Sequence, residues 1–301
     1  MATTATATTV TPTVIAPQPV LLPGTKTLLL GGPGSGKTTS LTTFIEAGLE
    51  LFVTITDPNG EEALLDAMER RKLPLNKLHW RYISAASPSW DTLYNMAQKI
   101  QLMSYEDLTK IKSGVEKDKH QQFMQVVEHF ANFKCDRTGE KYGPIDKWGT
   151  DRAFALDSLS GLNTMALDLM VGAKPIAHMG EYGVAMNAEE KLIRKLVADL
   201  KCFVVITAHL DRTLDEITNR PKLMVAALGS KLAPKLSKDF SDVVVTYRDG
   251  DKFFWSTTAP DIDLKARTLP LKDRLEPSFC QVVESWRKRV KMAEQKQQPQ
   301  T

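Results

Sequence analysis

Thr27-Leu28-Leu29-Leu30-Gly31-Gly32-Pro33-Gly34-Ser35-Gly36-Lys37-Thr38-Thr39 is the stretch on which the reading of the whole chain turns. A short apolar run is followed by a glycine-rich loop and then by residues with helical periodicity, so the loop joins a buried strand to a helix. From Gly31 to Thr38 it satisfies G-x-x-x-x-G-K-[ST]. Glycines let successive backbone N–H groups turn inward around a phosphate, and the helix that follows aims the positive end of its dipole at the same anion. Lys37 brings a point charge to the β- and γ-phosphates of a bound nucleotide, the Thr38 hydroxyl is placed to ligate magnesium, and Thr39 continues the phosphate-binding turn. The expectation is Mg-ATP held by Gly31, Gly32, Pro33, Gly34, Ser35, Gly36, Lys37, Thr38 and Thr39.

Two downstream segments fit such a site. Ala153-Phe154-Ala155-Leu156-Asp157-Ser158 is an apolar run ending in a carboxylate, which predicts Asp157 at a strand's carboxyl end beside the loop, binding Mg²⁺ or a water of its shell together with Thr38. Phe203 to Thr207 followed by Ala208-His209 predicts another buried strand with polar groups at its end. His209 there senses the γ-phosphate or orients the attacking water, or else is a structural strand-end histidine.

The wider pattern is α/β. Short continuous apolar runs at 27–30, 51–55, 154–156 and 203–206 read as buried strands, and helical patterns at 37–47, 61–71, 162–171 and 188–200 follow them. That alternation predicts a mainly parallel sheet covered by helices on both faces. Residues 89–150 look like an insertion, helical and polar up to about 134. After Asp239 the pattern turns to period two around Asp249-Gly250-Asp251, predicting an antiparallel hairpin of 243–247 with 252–255 that extends a sheet edge.

With 301 residues, 42% hydrophobic and 25% charged, the chain has ordinary globular composition, and a formal charge of +3 neither demands nor excludes nucleic acid. Residues 1–24 and 291–301 are read as flexible tails around a domain spanning 25–290. Three widely spaced cysteines, Cys135, Cys202 and Cys280, suggest neither a zinc site nor a disulfide framework, and fit a reducing, intracellular setting. No apolar run approaches the roughly 20 residues that a membrane helix needs, so a soluble protein without membrane contact is expected.

From Gly31–Thr38, Asp57, Asp157-Ser158, Thr207-Ala208-His209, Gly229-Ser230-Lys231-Leu232 and Lys265-Ala266-Arg267, in that order, the chain resembles the RecA-like P-loop ATPases. Within them it is similar to small phage AAA-domain ATPases related to single-strand-annealing recombination proteins. The resemblance covers about 25–270 apart from the insertion. It implies ATP hydrolysis with Lys37, Asp157 and His209 in the catalytic set, and assembly into a ring or filament whose neighbouring ATP site receives Lys265 and Arg267; a basic strand end on an exposed edge is the other reading of that pair. It implies DNA-facing loops at about 172–183 and 210–230, with Lys174, His178, Arg212, Arg220 and Lys222 as candidate contacts, against a solvated loop in which Asp211, Asp215 and Glu216 offset the charge. Where such ATPases carry a water-polarising Glu, this chain reads Thr56-Asp57-Pro58-Asn59-Gly60-Glu61, with Asn59 at the expected position and Asp57 or Glu61 as substitutes.

The leading expectation is therefore a DNA-dependent ATPase of phage recombination or replication, working in the host cytoplasm as a homo-oligomer on single-stranded DNA. The alternative is a nucleotide-gated assembly factor with little hydrolysis, which Asn59 favours. A nucleotide or small-molecule kinase fits less well, given the long interval between Lys37 and Asp157 and the lack of an Arg-rich lid.

Overall fold

Leu28 and Leu30 of the first strand are buried in one hydrophobic cluster and Leu29 in another. That alternation is the period-two signature of a strand covered on both faces. The computed structural model describes residues 22–112, 117–172, 174–214, 221–229 and 232–296.

The strands are β1 (Lys26–Leu30), β2 (Glu50–Ile55), β3 (Leu78–Tyr82), β4 (Arg152–Asp157), β5 (Phe203–Ala208), β6 (Leu210–Leu214), β7 (Pro221–Val225), β8 (Asp242–Asp249) and β9 (Lys252–Ser256). Seven of them form one sheet in the order β3-β2-β4-β5-β1-β8-β9. All its pairings are parallel except that of β8 with β9. β6 and β7 form a separate antiparallel hairpin.

The helices are α1 (Lys37–Leu41), α2 (Thr43–Glu46), α3 (Gly60–Arg70), α4 (Trp90–Leu102), α5 (Tyr105–Thr109), α6 (Gln122–Ala131), α7 (Leu159–Val171), α8 (Met179–Ala198), α9 (Ala233–Asp239) and α10 (Cys280–Gln295). Leu41, Phe44, Leu64, Met68, Val282 and Val283 of α1, α2, α3 and α10 pack against one face with Leu29, Val53, Ala155 and Val205. Phe123, Val126, Leu162, Met165, Ile193 and Leu236 of α6, α7, α8 and α9 cover the other with Leu28, Phe154 and Ile206. α4 and α5 bury none of their residues and lie outside both layers. No helix of the described residues is long and apolar enough to cross a membrane.

The coarse α/β architecture and the C-terminal hairpin agree with the sequence reading; several elements do not. β3 escaped it because Leu78-His79-Trp80-Arg81-Tyr82 lacks a continuous apolar run, yet its backbone pairs with β2 over five residues. α8 begins at Met179, nine residues before the expected 188, since the glycines at 180 and 183 mask its period. Within the insertion, 132–150 contains only a 3-10 turn, Ile145–Lys147, and a bridge from Lys134 to Lys141. α10 crosses the boundary drawn at 290, running through Lys291 and Met292 to Gln295. At the other end, the Gly24 N–H donates to the Lys201 carbonyl at 2.8 Å, so ordered contacts start inside the expected tail. Residues 1–21 and 297–301 lie outside the described residues.

The amino edge of the sheet is held by Asp242, the first residue of β8. Its side chain is fully buried, and Oδ1 accepts backbone N–H bonds from Arg267 at 2.7 Å and Thr268 at 2.8 Å. Asp242→Ala strands those donors in the interior and is expected to lower the unfolding free energy by about 3 kcal/mol, read as a lower urea midpoint. Glu189 on α8 is also fully buried, with neither carboxylate oxygen partnered. Burial raises its carboxyl from 4.5 to about 8. Between those values the folded chain holds a proton that the unfolded chain releases, so stability falls as pH rises through that window. Glu189→Gln is expected to leave Tm nearly unchanged at about pH 4 and to raise it by several degrees at about pH 8, measured by calorimetry.

Candidate functional site

Parallel strands present their carboxyl ends on one side of the sheet, and clefts of open α/β sheets lie there. The loop 31–36 leaves the carboxyl end of β1, between β5 and β8. Gly36 is the N-cap of α1 with φ 89°, a left-handed conformation that strains any residue with a Cβ. A Cβ at Gly36 would also sit 2.9 Å from the Phe253 ring of β9. Three neighbours fix the loop's path. The Gly31 N–H donates to the Ala208 carbonyl of β5 at 3.1 Å, Thr246 Oγ1 of β8 donates to the Ser35 carbonyl at 2.8 Å, and Ser35 Oγ donates to the Gly32 carbonyl at 2.7 Å.

Thr38 Oγ1 donates to Asp157 Oδ2 at 2.7 Å, joining the first turn of α1 to the end of β4. Asp157 Oδ1 accepts a very short hydrogen bond from Thr207 Oγ1, on β5. Burial pushes the Asp157 carboxyl up, while the Thr207 and Thr38 hydroxyls and the Lys37 cation pull it down. Lys37 is buried, and its Nζ donates to the Gly31 carbonyl at 2.8 Å and the Gly32 carbonyl at 2.9 Å. Burial lowers its pKa against the opposing pull of Asp157 and Asp57. The peptide linking Asp157 to Ser158 is cis.

A cleft of about 360 Å³ is lined by 33–39 of the loop together with Asp57, Asn59, Asp157, His209 and Phe253. Asp57, just past β2, accepts from Ser158 Oγ at 2.5 Å. Asn59 stands at the lip in left-handed conformation, φ 63°. His209 follows β5, and its Nδ1 is buried without a partner. Burial, and then the Lys37 cation, lower its pKa below the ordinary 6.5, so the imidazole facing the cleft is neutral near pH 7.

The structure thus brings together the loop 31–39, Asp57, Asp157 and His209. It keeps Lys265 and Arg267 apart from them. Both lie by Asp242 at the amino edge, across the sheet from the cleft, since Asp242 is level with Thr27 at the start of β1. The Lys265 ammonium donates to the Lys238 carbonyl at 2.8 Å and the Phe240 carbonyl at 2.5 Å, capping the end of α9. The Arg267 side chain is exposed.

The expected DNA-facing segments need correction. Lys174 is buried and paired with Glu181 at 2.9 Å, which withdraws it from any surface contact. His178 caps α8 and its Nε2 lies 3.0 Å from the Thr109 carbonyl. The second segment is a β6–β7 hairpin rather than an irregular loop, with Arg212 exposed on β6 and Lys222 paired with Asp263 at 2.7 Å. Arg220, Asp215, Glu216, Ser230 and Lys231 lie outside the described residues. Phe253 and Thr246 went unnoticed in the sequence because only the pairing of β8 beside β1 brings them to the loop.

The His209 electrostatics are open to a direct check. In an NMR pH titration, the C–H resonances missing from a His209→Gln variant are expected to titrate below 6.5, and their midpoint to rise in Lys37→Met as the neighbouring cation is removed.

No family model matches the chain, and no curated protein matches it at a significant level.

Proposed function

We propose that this chain is a magnesium-dependent ATPase of the RecA type that works on single-stranded DNA as a homo-oligomeric ring or filament, in phage recombination or replication within the host cytoplasm. The observation that carries the reading is the meeting of the glycine loop, Lys37 and the Thr38–Asp157 pair at the carboxyl edge of the sheet. The donor set fits Mg-ATP. Loop N–H groups and the start of α1 suit phosphate oxygens, Lys37 has only loop carbonyls to leave, and the Thr38 hydroxyl and Asp157 carboxylate are hard oxygen ligands. Bound magnesium supplies charge neutralisation on the phosphate oxygens.

The protein's own part in hydrolysis is positioning. Asp157 is held at a fixed height by Thr207, and His209, neutral and with a free ring nitrogen beside Lys37, is placed to accept from or donate to a group at the γ-phosphate position. Arg267 lies too far across the sheet to serve its own cleft, and its exposed guanidinium supports a role in the cleft of a neighbouring copy. An arginine supplied in that way stabilises charge developing on the transferred phosphoryl group. Lys265, engaged at the end of α9, serves to orient the segment that carries Arg267.

A nucleotide-gated assembly factor with little hydrolysis is the second reading. It is favoured by Asn59 at the cleft lip and by the engagement of Asp57 with Ser158, which together leave the water-polarising role without a free carboxylate at those two positions.

Steady-state ATP hydrolysis, with and without single-stranded DNA, separates the two. The expected outcome is turnover stimulated by DNA in the intact chain and a loss of that stimulation in Arg267→Ala. Lys37→Ala is expected to weaken ATP binding by at least about tenfold. Tight ATP binding without turnover under any condition favours the second reading, and an intact chain that binds no ATP overturns both.

A further inference from the structure

Between the insertion and the end of α7 lies a second cavity, about 420 Å³, that shares no lining residue with the phosphate cleft. Its volume falls in the range of small-molecule sites, about 300–1,000 Å³. Pro88, Met96 and Pro175 supply apolar wall, and Lys119, His120, Gln122 and Asp168 are among the polar groups.

Of these, His120, Gln122 and Asp168 are not satisfied by one another. Gln122 opens α6, and its Nε2 donates to the Lys119 carbonyl at 3.0 Å, which orients the amide and leaves Oε1 buried without a partner. His120 Nδ1 is likewise buried and unpartnered, because the nearest carboxylate oxygen, Asp168 Oδ2, is 3.9 Å away. That separation exceeds a hydrogen bond. Burial raises the Asp168 carboxyl, opposed only by His120. Buried polar atoms in native proteins are nearly always paired. Two of them, His120 Nδ1 and Gln122 Oε1, beside the half-buried carboxylate of Asp168 in one cavity, call for a ligand that brings its own donors and acceptors.

The chemistry of the ligand follows from the set. Asp168 and the Gln122 carbonyl are acceptors and want N–H donors, and the imidazole takes either role. An inorganic anion, although Lys119 also lines the cavity, brings no N–H donor to Asp168 or to the Gln122 carbonyl, a hydrocarbon leaves the polar groups unmet, and a sugar leaves Met96 and the prolines against polar hydroxyls. A flat heterocycle with an amino group and a ring acceptor on one edge meets both demands, its faces on the apolar wall and its edge on the polar groups. We propose that this cavity binds an amino-bearing nucleobase, that of adenine, cytosine or guanine in preference to thymine, from a free nucleoside or from an exposed base of a single strand. The inference does not depend on the assignment of the phosphate cleft.

Titration of the full chain, without ATP, by deoxycytidine, deoxyadenosine, deoxyguanosine and thymidine in calorimetry, and by oligo(dC) and oligo(dT) in fluorescence anisotropy, tests it. Saturable binding of an amino-bearing nucleoside, weakened about tenfold in Asp168→Asn and in Gln122→Leu, supports the proposal with the free nucleoside as source. Absence of nucleoside binding, with oligo(dC) preferred over oligo(dT) and the preference lost in Asp168→Asn, supports it with the single strand as source. ATP affinity is measured on the same samples and is expected to be unchanged in both variants, so a failed phosphate cleft and a failed cavity are told apart. Met96→Trp, which fills the cavity from its apolar side, is expected to abolish the binding even where the polar variants fold poorly. No binding of either kind by the intact chain, or binding indifferent to Asp168→Asn and Met96→Trp, overturns the proposal.

Discussion

A carboxylate taken out of water at the end of β4 is the constraint around which the candidate site is organised. Moving such a group into the interior costs several kcal/mol unless partners replace the lost hydration. Asp157 is buried, and its two oxygens are met by hydroxyls from different elements, Thr38 of α1 and Thr207 of β5, with the Lys37 cation nearby. Neither hydroxyl is local in sequence to Asp157, so the carboxylate is satisfied only when β4, β5 and the loop after β1 stand in their native register. Satisfaction of one buried group and assembly of the site are the same event.

Around it, charge is arranged so that few groups are free. Lys37 is spent on loop carbonyls, Asp57 on Ser158, and burial, with Lys37 adding to it, lowers the pKa of His209. The opposite edge of the sheet is built for another purpose. There Asp242 gathers the backbone of 267–268, Lys265 caps α9, and Arg289 of α10 bonds to the Arg267 carbonyl, so that the segment bearing Arg267 is anchored by its backbone while its side chain is left outward.

The amino-acid sequence by itself determined the strand–loop–helix at 26–41, the buried strands β1, β2, β4 and β5, the hairpin of β8 with β9, and the membership of 31–39, Asp157 and His209 in one candidate site. These were legible because each rests on a local pattern: continuous apolar runs, a glycine-lysine-threonine spacing, period-two alternation around Asp249-Gly250-Asp251. Tertiary structure alone decided the rest. Strand order brings Phe253 and Thr246 to the loop, though no residue near them marks it, because pairing partners are chosen by the whole sheet. Lys174 reads as a surface cation until α8 starts early and supplies Glu181 to bury it. β3 is a strand by virtue of the backbone of β2, not of its own mixed side chains. Lys265 and Arg267, adjacent in pattern, are parted in their surroundings by the carbonyls of Lys238 and Phe240, which claim the Lys265 ammonium while the Arg267 side chain stays exposed. Local patterns report which faces must be buried; only the packed chain settles which polar group meets which, because desolvation is relieved by whatever partner the fold brings within bonding distance.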